Sequence, residues 1–76
     1  MANLEARIST VDGGGWEIPL QQRDLEKLYR LQKAGYSGKA LIHEWLTDDW
    51  EPPPDYIDVV GTGADGRKVN IRLMYD

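Results

Sequence analysis

The sequence predicts an α+β fold in which two β-hairpins flank a pair of helices, in the order ββααββ. Three observations carry this reading. Apolar residues alternate at every second position near both ends, the apolar spacing becomes helical between residues 21 and 47, and glycine or proline clusters stand at most of the changes of spacing. Hairpins of this kind pair into a small antiparallel sheet of about four strands, whose apolar side needs a cover. The two helices, if they cover one face of that sheet, bury every apolar stripe in the chain.

The first hairpin begins with Leu4, Ala6 and Ile8 alternating with Glu5, Arg7 and Ser9. Asp12-Gly13-Gly14-Gly15 supplies the turn, because glycine reaches backbone conformations closed to other residues. Trp16, Ile18 and Leu20 then alternate with Glu17 and Pro19. Proline cannot donate to a strand ladder, so Pro19 assigns this segment to a sheet edge.

From Gln21 the apolar positions Leu25, Leu28, Tyr29 and Leu31 follow helical spacing. Gly35 suits a left-handed C-cap, with Lys33 in the last turn at the negative end of the helix dipole. Ser37 suits the N-cap of a second helix reaching Leu46 or Thr47, with Leu41, Ile42, Trp45 and Leu46 as its apolar stripe. Pro52, Pro53 and Pro54 forbid helix and favour an extended connector. The last hairpin is the most regular. Ile57 and Val59 alternate with Tyr56 and Asp58, and Val69, Ile71 and Leu73 alternate with Lys68, Asn70 and Arg72, across a turn-rich stretch at 61–66. The polar side of the sheet would then carry Glu5, Arg7, Asp58, Asn70 and Arg72 as a solvated surface.

Length and composition bound the function. With 76 residues the chain is read as one domain with a thin core, for which self-association is one route to stability. A homodimer through a sheet edge or an exposed helix stripe fits that expectation. There is no cysteine, so disulfides and thiolate metal sites are excluded. The first residues, with Glu5 and Arg7, do not read as a signal peptide, and no apolar run approaches the ~20 residues of a membrane span. A cytoplasmic protein without membrane contact is the resulting expectation. Net charge of −4 argues against a protein held on nucleic acid by bulk charge.

No catalytic, cofactor or metal constellation emerges, and the chain reads as a non-enzyme. Gly61-Thr62-Gly63-Ala64-Asp65-Gly66 matches GxGxxG, but Arg67–Ile71 after it reads as a strand, whereas a dinucleotide site needs a helix opening there. His43, the single histidine, has Lys39, Ala40, Leu46 and Thr47 as helical neighbours, which supply neither metal ligands nor a nucleophile. Asp48, Asp49 and Glu51 lack the spacing of a calcium loop.

Charge segregation is the feature that points to function. Arg23, Lys27, Arg30, Lys33 and Lys39 lie within residues 23–39 against Asp24 and Glu26, whereas residues 40–66 hold no lysine or arginine. Glu44, Asp48, Asp49, Glu51, Asp55, Asp58 and Asp65 accumulate there instead. The expectation is a binding or regulatory module acting on a protein partner. Glu44, Asp48, Asp49, Trp50, Glu51 and Asp55 are the candidate contact residues. The alternative is a nucleic-acid reader of helix-turn-helix type with the last hairpin as a wing. Its contacts would be Arg23, Lys27 and Arg30, which share one helix face at i, i+4 and i+7. A recognition helix carrying Glu44, Asp48 and Asp49 would, however, be repelled by phosphate.

Overall fold

The computed structural model describes residues 2–46 and 54–76. Strands β1 (Asn3–Thr10) and β2 (Gly15–Leu20) form the first hairpin. Helices α1 (Gln22–Lys33) and α2 (Gly38–Trp45) follow, and β3 (Pro54–Thr62) and β4 (Lys68–Met74) form the second hairpin. The order is the expected ββααββ. The four strands make one open antiparallel sheet in the spatial order β2-β1-β3-β4, which puts the first strand of each hairpin at the centre. The join between the hairpins is the β1–β3 pair, with Ala6 opposite Val59 and Ile8 opposite Ile57.

Strand side chains alternate between the two sides of a sheet, so this register sorts them. Leu4, Ala6 and Ile8 share a side with Ile57 and Val59, with Ile18 and Leu20, and with Val69, Ile71 and Leu73. Most of these are buried, and they form one hydrophobic cluster with Leu25 and Leu28 of α1 and Leu41, Ile42 and Trp45 of α2. Ala6, Ile42, Leu28, Ile57 and Val59 have no exposed surface, so the cluster centres on the β1–β3 junction and the inner sides of both helices. Burying a side chain of this size contributes about 1.5–3 kcal/mol against the chain entropy lost on folding.

The helix ends use both expected and unexpected devices. Gly35 has φ +101°, the left-handed conformation of a C-cap, and the Tyr36 amide donates back to the Leu31 carbonyl at 3.0 Å. At the start of α1 the Asp24 carboxylate accepts the Gln21 amide at 2.7 Å, a reach-back bond that places an acid at the positive end of the helix. Ser37 holds the N-cap position in an extended conformation, but its side chain makes no capping hydrogen bond. The buried Trp45 is anchored by its indole N–H, which donates to the Asp24 carbonyl at 2.7 Å and ties the end of α2 to the first turn of α1.

Strand β3 runs past Val59 to Thr62, further than the alternation alone suggested. Gly61 explains the extension. Its φ is +129°, and a Cβ there would collide with the Asn3 carbonyl oxygen of β1, so only glycine lets β3 stay paired to its end. Trp16 and Tyr29, counted with the apolar stripes in the sequence, are 40% and 46% exposed. Both are outside the buried cluster, in positions where a ring with a polar group can meet water. No helix among the described residues is long and apolar enough to cross a membrane.

Candidate interaction surfaces

Arg23, Lys27 and Arg30 are exposed on α1, on the helix face away from the buried Leu25 and Leu28. Among the described residues none of the three makes an ion pair. They form a cationic strip on the outer face of α1, with the exposed Glu26 beside it.

The acidic side divides differently from its linear order. Glu44 on α2 and Asp55 on β3 are exposed. Asp48, Asp49, Trp50 and Glu51 lie outside the described residues. Asp58 belongs to another arrangement, because Arg72 of β4 grips it with Nε–Oδ1 at 2.8 Å and Nη2–Oδ2 at 3.0 Å. Asp65 pairs loosely with Arg67 at 3.7 Å on the turn. Of the acids gathered in residues 40–66, Asp58 is thus paired by a basic residue that hairpin closure brings alongside, and Asp65 by one two residues away in the turn.

The GxGxxG stretch forms a hairpin turn. Gly63 N–H donates to the Arg67 carbonyl at 2.9 Å, and Gly66 N–H donates to that of Gly63 at 3.0 Å. Gln22 at the start of α1 accepts the Ala64 amide at 2.8 Å, which docks the turn onto the helix and takes up a donor that a phosphate would need. His43 is exposed and shares a hydrogen bond of 2.7 Å with the Tyr75 hydroxyl, while the Lys39 ammonium lies 5.7 Å from the Tyr75 ring centre. Tyr75, Lys39, Asp55, Asp76, Val11 and Pro54 line an open cleft of about 420 Å³. Among the described residues, no group of three or more His, Cys, Asp or Glu could hold a metal ion.

The second side of the sheet carries an arrangement invisible in the linear sequence. Glu17 of β2 stands opposite Arg7 of β1, Arg7 opposite Asp58 of β3, and Asp58 opposite Arg72 of β4. One row across all four strands therefore reads minus, plus, minus, plus. Opposite charges facing each other across strands each contribute a few tenths of a kcal/mol when exposed. The Asp58 carboxyl is held below its ordinary range by the Arg72 hydrogen bonds, then by the charges of Arg72 and Arg7, with partial burial opposing. Glu5 is lowered first by its hydrogen bond from Arg7, a long one at 3.4 Å, and further by the Arg7 charge. Arg72 also lies over the Tyr56 ring, 4.2 Å from its centre. On either side of the row, Pro19, Glu5, Val60 and Asn70 form one flanking row, and Gly15, Ser9, Tyr56 and Met74 form the other. No described helix residue hydrogen-bonds or ion-pairs to this side. Residue types alone suggested a polar face, but the row could be found only by knowing the β1–β3 register.

Comparison of the chain with protein-family models, with curated proteins and with solved structures returned no match.

Proposed function

We propose that the chain is a non-enzymatic binding module that recognises a protein partner through a charge-polarised surface. The observation that carries this reading is the cationic strip of Arg23, Lys27 and Arg30 on one helix, exposed and without an ion pair among the described residues, set against the exposed acids Glu44 and Asp55 beyond it. Ordinary surface charges are interspersed in sign, so a segregated surface favours a partner of complementary charge and speeds encounter with it. In this reading Asp48, Asp49, Trp50 and Glu51 extend the acidic contact begun by Glu44 and Asp55, and the two helices act as the cover of the apolar sheet side. The shared hydrophobic cluster supports that last point. The non-enzymatic part rests on the sequence, which offers one histidine, no cysteine and no nucleophile–base pairing. Capture of a stoichiometric partner from the native host, repeated with Asp48→Lys and Asp49→Lys, tests it. Binding should weaken by about tenfold or more, and unchanged binding would refute acidic docking.

The same cationic strip favours one other reading, contact with a nucleic-acid backbone. Replacing Arg23, Lys27 and Arg30 by alanine should then weaken binding equally for all sequences and lower the salt slope by roughly 2–3. Failure to be retained on DNA or RNA at low salt would end this alternative.

A further inference from the structure

We propose that two copies of the chain associate face to face through the charged side of the sheet, about a two-fold axis parallel to the strands and passing between β1 and β3. The occupant follows from the order of charges. A two-fold axis in the plane of contact and along the strands reverses strand order in the partner, so a row reading minus, plus, minus, plus meets one reading plus, minus, plus, minus. Glu17 then faces Arg72 of the partner subunit, and Arg7 faces Asp58 of the partner subunit, each contact occurring twice. The other in-plane axis, perpendicular to the strands, would stack each charge on its own copy and is repelled. Charge complementarity selects one geometry of the two.

Side-chain size agrees with it in one of the two flanking rows. The same axis sets the flanking row Gly15, Ser9, Tyr56 and Met74 against its own reverse. Met74, 48% exposed, falls over the bare backbone of Gly15, and the half-buried Tyr56 falls over Ser9, the large residues each meeting a small one. Strand directions in the two sheets stay close to aligned, which is the common way for twisted sheets to pack. The Asp58–Arg72 pair enters such an interface with both of its hydrogen bonds already made, so neither charge is left without a partner.

The footprint bounds the affinity. Four strands about 4.8 Å apart and about 20 Å long present on the order of 400 Å², near half of what each side of a standard interface contributes. Association should therefore be concentration-dependent and weakened by salt.

Sedimentation equilibrium from about 10 μM to about 1 mM, paired with amide chemical shifts on dilution, tests the proposal. A dimer should form within that range, with shifts concentrated at Arg7, Tyr56, Asp58, Val60, Arg72 and Met74. Glu17 is exposed on an edge strand, so Glu17→Arg should fold normally while weakening the dimer at least about tenfold, because it sets two cations against each other twice. A monomer throughout the range would overturn the proposal. So would a dimer whose shifts fall on the free edge of β4 or on α1, or one indifferent to Glu17→Arg.

Discussion

The two sides of this sheet are made by the same four strands, one residue out of step, yet they are governed by different physics. On one side Ala6, Ile57 and Val59 have no exposed surface and pack with Leu28 and Ile42, so a change of one methylene group is felt by every neighbour. On the other, Glu17, Arg7, Asp58 and Arg72 lie in water, where each attraction is screened and each side chain gives up entropy to hold its place. The difference teaches where stability and recognition reside. The apolar side sets whether the chain folds. The charged side contributes little to that and is free to serve a partner.

The contrast can be broken most severely on the apolar side. Leu28→Ala should cost about 2–5 kcal/mol, because the side chain is fully buried and its neighbours cannot collapse into the space. For a domain with a core this thin, urea unfolding of the variant should begin near zero denaturant. Trp45→Phe is the next largest. It removes the indole hydrogen bond to the Asp24 carbonyl and leaves space where the larger ring was, and should cost about 1–3 kcal/mol, read as a fall in the urea midpoint.

The charged side answers more gently. Asp58→Asn should cost about 1 kcal/mol at neutral pH, because the Arg72 guanidinium it releases is mostly exposed and stays solvated, although the Asp58 side chain is itself half-buried. Its larger signature is in pH. The Asp58 carboxyl is depressed in the folded chain by Arg72, so its contribution is fully present above the ordinary aspartate value of 3.8 and is lost as pH falls through the lower folded value. Glu5 and Asp12 are depressed as well, the latter by the Thr10 hydroxyl and then the Gly14 amide, and act in the same direction. Stability should therefore decline on acidification below about pH 4, and Asp58→Asn should make that decline shallower. The smallest effect belongs to the cationic strip. Replacing Arg23, Lys27 and Arg30 by alanine should change stability by no more than about 0.5 kcal/mol, since among the described residues they make no ion pair to lose.

Much of this frame was legible in the sequence, because each element carries its own period. Leu4, Ala6 and Ile8 declare a strand within a few residues, and Leu25, Leu28 and Leu31 declare a helix. Alternation also assigned Glu5, Arg7, Asp58, Asn70 and Arg72 to the polar side. What could not be read was how the two hairpins join. The β1–β3 pair joins residues about 50 apart in the chain, and no local pattern encodes that register. The row from Glu17 to Arg72 draws one residue from each strand, so it exists only once all three pairings are known. For the same reason Asp58 looked like surplus acid in the sequence, whereas Arg72 neutralises it in the fold. The reach-back bond from Asp24 to the Gln21 amide was missed differently, since glutamine is not among the favoured capping residues.

In the proposed dimer the charged side of the sheet serves association and not folding. The most direct test is a variant with the row neutralised, Glu17→Gln, Arg7→Gln, Asp58→Asn and Arg72→Gln together, followed by urea unfolding and by sedimentation in parallel. Stability should fall by no more than about 1–2 kcal/mol, the sum of a few exposed pairs, while self-association disappears. Loss of cooperative folding with the row neutralised, or self-association equal to that of the unaltered chain, would contradict the account.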